Sequence, residues 1–282
     1  MNGKPAERRN GTVPSAGKNE LLSFRNKGRA AEQESTSNET IRLAVMKIIR
    51  ESLFEGATRA RGVAIVTDVF RAFTSTPLFF HFGAQKVLFV HDPDEAFSLK
   101  AQNGDMLLAG EVDDRLIPGF DLGNSPSEIA SKPPEFFRGK IVVQRTTAGV
   151  IGVLSALDSV EIVILGSYVM ARAISRYILS QDPLPEVVTI VATGNYGIAT
   201  TPEDEGCADY LEHLLVGSHY DHLKTLHGIV FNESAQKFIR GDKDYFPRED
   251  PLYCLQRDLF DFILLANKHE GVVTVEKKQL IK

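Results

Sequence analysis

Seven short apolar runs rich in Val and Ile punctuate this chain: "LAVMKII", "GVAIVTDVF", "KVLFVH", "DMLLAGE", "KIVVQRT", "EIVILGS" and "VVTIVATGN". They are near-continuous rather than alternating. A strand wetted on one face alternates apolar and polar residues, whereas a strand buried on both faces does not. Helical stretches separate the runs, at Pro93–Ala101, Ser125–Ser131, Gly149–Leu157, Tyr168–Ser180 and Pro202–Val216. Strands of this kind alternating with helices predict an α/β fold, three layers deep (α/β/α), with a mainly parallel or mixed central sheet. "LAVMKII" is two-sided, because within "SNETIRLAVMKIIRESL" it also reads as an amphipathic helix.

The pattern begins near residue 42. Residues 1–38 are polar, with "LLSF" as their apolar cluster. Such a segment buries too little apolar surface to offset its ordering entropy, so a mobile N-terminal extension is expected before an α/β domain over 39–282. The net charge of −5 and pI near 5.8 give no electrostatic reason to expect nucleic acid or an anionic membrane as partner. The two cysteines, Cys207 and Cys254, build no disulfide framework. No apolar run approaches the roughly 20 residues of a membrane span, and no signal-peptide core opens the chain. The expectation is a cytoplasmic protein with a small-molecule partner; whether it is a monomer or a homo-oligomer is left open by the sequence.

In open α/β sheets ligands bind beyond the carboxyl ends of the strands. There the sequence places Asp68 and Arg71, then Gly110-Glu111, then Arg145-Thr146-Thr147-Ala148-Gly149, then Thr201-Pro202-Glu203-Asp204. Asp68, Glu111, Asp121, Glu203 and Asp204 are candidate hard-oxygen ligands for magnesium, which takes one or two protein carboxylates, waters and phosphate oxygens. "RTTAG" suits an oxyanion cradle of Thr146, Thr147 and the backbone at Gly149, clamped by Arg145; it equally suits a Thr-capped helix start. Asp68 and Arg71 can also be read as a structural pair, and Glu203 and Asp204 as acids complementing a helix dipole.

The stretch "GFDLGNSPSE" has the same double character. Ser125 at N-cap, Pro126 at N1 and Glu128 at N3 form a capping box. Asp121, Gly123 and Asn124 are not explained by the cap; they read as an acid for a metal and a turn that admits a phosphate beside Ser125 and the helix end. Competing chemistries lack their signatures: no Walker loop, no GxGxxG after a strand, no zinc spacing among the seven histidines, and no second acid after Asp68-Val69-Phe70.

Asp68-Val-Phe-Arg-Ala-Phe-Thr74, Gly110-Glu111, Gly119-Phe-Asp-Leu-Gly-Asn-Ser-Pro126, Arg145-Thr-Thr-Ala-Gly149 and Glu203-Asp-Glu-Gly-Cys-Ala208 follow one another in this order. Together with the C-terminal "SAQKFIRGDKDYFPREDPLYCLQRD" they resemble the 2-phosphosulfolactate phosphatase (ComB-type) family over about residues 42–265. The resemblance implies a magnesium-dependent phosphatase acting on phosphate monoesters of α-hydroxy acids, an α/β/α fold, and a strand at "LAVMKII". The chain departs from the usual motifs at Phe73, at Val112 where Arg is usual (Arg115 is near in sequence), and at Ala148 and Val150. Asp68 and Arg71 are the catalytic candidates. Asp68 fits either a nucleophile or a metal ligand, and a non-catalytic phosphometabolite-binding protein is the alternative.

Overall fold

The computed structural model describes residues 46–241, 243–269 and 271–280. The extension expected over residues 1–38, and the first residues of "LAVMKII", lie outside them. The strands are β1 (Lys47–Ser52), β2 (Val63–Thr67), β3 (Lys86–Val90), β4 (Leu107–Val112), β5 (Arg115–Leu116), β6 (Ile141–Arg145), β7 (Val163–Gly166), β8 (Val187–Ala192), β9 (Phe262–His269) and β10 (Val272–Gln279). The helices are α1 (Leu53–Ala57), α2 (Ala72–His81), α3 (Pro93–Gln102), α4 (Pro126–Ser131), α5 (Ala148–Leu157), α6 (Ala171–Leu179), α7 (Pro202–Val216), α8 (His222–Val230), α9 (Glu233–Arg240) and α10 (Asp250–Cys254).

Each apolar run of the sequence supplies a strand, and the ambiguous one forms β1, which pairs parallel to β8 in register Lys47 with Val187. The ten strands make one mixed sheet in the order β1-β8-β2-β7-β9-β10-β3-β6-β4-β5. It consists of two parallel blocks, β1-β8-β2-β7 and β3-β6-β4, joined by the antiparallel hairpin β9–β10. Side-chain alternation along β2 fixes the layers. Val66 lies where a Cβ on Gly152 of α5 would meet it, and Thr67 donates its hydroxyl to the Asp204 carbonyl of α7. Successive residues point to opposite faces, so α5 and α7 cover opposite sides in an α/β/α arrangement. Among the described residues no helix is long and apolar enough to cross a membrane.

The two parallel blocks run in opposite directions, yet the segments after β2 and β6 meet. Twist explains this. At roughly 20–25° per strand pair, the five steps from β2 to β6 accumulate roughly 100–125°, which turns oppositely directed strands toward a common corner. The Asp68 carboxylate and the start of α5 sit at that corner.

Several elements depart from the sequence reading. The helix expected over Tyr168–Ser180 divides into a 3₁₀ turn, Tyr168–Met170, and α6. Helix α2 occupies "AFTSTPLFFH", which carries Pro77 in its interior; its nine buried residues outweigh a poor local propensity. Strands β9 and β10 were not among the runs, although "FILLA" and "VVTV" carry the same apolar signal.

Candidate active site

Asp68 follows β2 directly. Its backbone N–H donates to Gly166 O (3.3 Å), and its Oδ1 accepts from the Ala72 N–H (3.2 Å) that opens α2. The other oxygen faces Gly149 at the start of α5, so closely that a Cβ there would lie 2.7 Å from Oδ2. Glycine is required at 149 by this approach. We expect Gly149→Ala, which would also press within 2.9 Å of the Phe73 ring, to lower unfolding free energy by about 1–3 kcal/mol in a denaturant titration. Gly123→Ala is the control, because its nearest neighbour is 3.6 Å away.

Burial pushes the Asp68 carboxyl up to about 7; Glu111 and Glu203 add to the rise, and the amides of Ala72 and Gly149 oppose it. Glu203 is raised chiefly by burial, against the hydroxyl that Ser234 donates to its Oε2 (2.7 Å). Asp204 is raised well above the usual carboxylate range by burial and then by Asp68 and Glu203. These three carboxylates share one poorly solvated corner. Asp204 is bound to backbone on both sides: Oδ1 accepts from Val69 N (2.7 Å) and Oδ2 from Gly194 N (2.9 Å). It ties the end of β2 to the end of β8.

Arg71 is buried. It donates through Nη2 to Glu111, and through Nη1 to Asp250 Oδ2 (3.1 Å) and the Tyr245 carbonyl (3.1 Å). Burial opposes its charge, but Glu111 and Asp250 outweigh that and raise the guanidinium's pKa. Asp250, at the start of α10, is nearly inaccessible and accepts from the Ser125 hydroxyl (2.7 Å) and the Ser127 N–H (3.1 Å). No sequence pattern singled it out, since an acid before a proline at a helix start is ordinarily a surface residue.

A cavity of about 290 Å³ opens at this corner. Six carboxylates line it, those of Asp68, Glu111, Asp114, Glu203, Asp204 and Glu233, against two cations, Arg71 and Lys237. Thr146, Thr147 and Tyr196 also face it; burial raises the Tyr196 phenol to about 12. The N-cap residue of α5, Thr147, makes no side-chain cap bond, so the positive end of a ten-residue helix is presented to the cavity.

Several candidates from the sequence are placed elsewhere. Asp121 is a correction: its Oδ2 is taken by Lys100 Nζ (2.7 Å) and the Leu108 N–H (2.8 Å), at the start of β4 rather than beside Glu111 at its end. The cap predicted at Ser125 is present, with Pro126 at N1 and Ser125 Oγ accepting from Glu128 N (3.2 Å). That end is closed to an anion, however. Asp250 takes the Ser127 amide, Ser125 takes that of Glu128, and Glu128 Oε2 takes that of Gly123 (3.3 Å). Asn124 is buried, its Nδ2 donating to Arg145 O (3.0 Å) and its Oδ1 accepting from Gln144 (2.9 Å). Gly123, Asn124 and Ser125 line a second cavity of about 220 Å³ that shares Arg71, Glu111 and Asp114 with the first. Arg145 is turned to the backbone carbonyls of His91 (3.1 Å) and Glu111, and to Thr147 Oγ1 (2.8 Å). It positions the ends of β4 and β6 rather than clamping an anion. Arg115 is exposed and lies over the Tyr245 ring, 5.2 Å from its centroid.

With the site in view, comparison with known proteins is decisive. The family model described as 2-phosphosulpholactate phosphatase matches residues 48–269. The chain belongs to that family. Among its relatives is a "Probable 2-phosphosulfolactate phosphatase" of Bacillus subtilis (strain 168), 31% identical over 216 residues that cover 76% of this chain and 91% of the relative. A protein of the same name from Carboxydothermus hydrogenoformans is 29% identical, covering 77% of this chain and 92% of the relative. One from Deinococcus radiodurans is 36% identical over 135 residues, 48% of this chain and 54% of the relative.

Proposed function

We propose that this protein hydrolyses a small anionic phosphate monoester, a phosphorylated α-hydroxy acid, to the hydroxy acid and inorganic phosphate, with magnesium as cofactor. Family membership and the names of the relatives support the phosphatase reading. The observation that carries the magnesium requirement is the excess of carboxylates around the cavity. A phosphate dianion does not enter a poorly solvated pocket with six carboxylates and two cations unless a further positive charge accompanies it.

The residues fit such an ion. No cluster of three or more ligating side chains closes on one point among the described residues, but magnesium needs only one or two protein carboxylates beside its waters and phosphate oxygens. Asp68 and Glu203, which both line the cavity, would hold it, Asp68 through lone pairs that the Ala72 and Gly149 amides leave unused; Glu111 is paired with Arg71. When bound, it would neutralise phosphoryl oxygens and orient water. Thr146, Thr147 and the positive end of α5, whose Gly149 amide meets Asp68, receive the phosphoryl group, a setting that favours its developing charge. Arg71 keeps Glu111 in place. In the reaction a water oxygen bonds to phosphorus, the bond to the ester oxygen breaks, and that oxygen leaves with a proton.

The test is phosphate release from a panel of phosphorylated α-hydroxy acids, with magnesium and with excess EDTA. Release at least a hundredfold faster with magnesium is expected. Equal release with EDTA would remove the metal from the reading. Tight binding of the panel without turnover would favour a phosphometabolite-binding protein instead.

A further inference from the structure

A phosphorylated hydroxy acid carries a second anionic group, and that group needs its own cation. Neither of the expected arginines serves. Arg71 is held by Glu111, Asp250 and the Tyr245 carbonyl, and Arg145 by two backbone carbonyls and Thr147. Arg115 stacks on Tyr245 and does not line the cavity.

Lys237 differs from all three. It projects from α9 into the same cavity as Asp68 and Thr147. Its Nζ lies 3.3 Å from Asp114 Oδ2, and the two side chains are 27% and 28% exposed. Ring faces hold the ammonium in position, with Phe238 and Phe246 centroids at 5.2 and 4.7 Å. Cation–π contacts of this kind fix a charge without consuming its hydrogen bonds. Asp114 sits at the tip of the β4–β5 hairpin with φ of +64°, and one half-exposed carboxylate is a partner that an incoming anion can replace.

We propose that Lys237 is the specificity-determining residue of the cavity: it receives the carbon-bound acid group of the substrate, a carboxylate or a sulfonate, in exchange for Asp114. This assignment rests on the phosphatase reading above.

Three esters separate the sources of that charge: 2-phospholactate, with a carboxylate; the phosphate of 2-hydroxyethanesulfonate, with a sulfonate; and isopropyl phosphate, with neither. The wild-type enzyme should prefer one or both acidic esters over isopropyl phosphate in kcat/KM. In Lys237→Gln that preference should fall at least tenfold, with the loss in KM rather than kcat. Asp114→Asn, which removes the competing carboxylate, should lower KM for the preferred acidic ester about threefold. A purely structural role for Lys237 would slow all three esters alike and leave the preference intact, and that result overturns the assignment while leaving the phosphatase reading standing. A wild-type protein inert toward every ester overturns both.

Discussion

Asp68→Asn is expected to reduce phosphate release by at least about a hundredfold and, in the metal-free protein, to lessen the fall of stability between pH 4 and 8. The first part follows from the position of Asp68 against the cavity and the start of α5; loss of a group acting directly on the reacting centre costs about 10²–10⁴ in rate. The second follows from burial. The folded carboxyl titrates near 7, against 3.8 without burial. Between those values the folded state holds a proton that the unfolded chain has released, so stability is greatest at the acid end and declines as pH rises through 7. The span corresponds to about 4 kcal/mol at most. Asparagine carries no charge and removes Asp68's share of the slope, leaving those of Glu203 and Asp204, though its amide meets the Gly149 N–H less well than a carboxylate does. Thermal melts of both proteins in EDTA across the range check the claim. A variant as active as wild type, or one with an unchanged slope, would sink it.

Asp250→Ala is expected to cost about 3–5 kcal/mol of stability, because it leaves the buried Arg71 with half of its counter-charge. It also orphans the Ser127 amide and the Ser125 hydroxyl. Activity should fall with it, since Arg71 holds Glu111. Ser127→Ala keeps that amide and removes only the hydroxyl that Ser127 also donates to Asp250 Oδ1, and should cost about 1 kcal/mol. Urea midpoints of the two variants give the comparison; equal, small shifts would show that Arg71 is held adequately by Glu111 alone.

The contrast between Asp68 and Asp250 shows where the sequence is informative. Asp68 ends an apolar strand, so its place at the carboxyl edge of a sheet can be read locally. Asp250 becomes a partner of Arg71 only through tertiary packing across 179 positions, and nothing beside it signals burial. Asp121 fails for the related reason that a motif states order along the chain but not which end of β4 its side chain meets. The parallel strands were legible because burial on both faces leaves unbroken Val and Ile runs. The opposite sense of the two blocks was not, since that depends on the β9–β10 hairpin between them. Lys237 was equally hidden: its value lies in the engagement of every competing arginine.

That hairpin has a consequence for assembly. Strands β9 and β10 follow the other eight described strands in the chain, yet they occupy the middle of the sheet. Until they arrive, β7 and β3 each present an unpaired edge, and the two parallel blocks are not joined through the sheet. The corner is therefore completed only when residues 262–279 insert between the two blocks, a step of high contact order. A ribosome stalled before residue 262 would display two half-sheets with unpaired edges at β7 and β3.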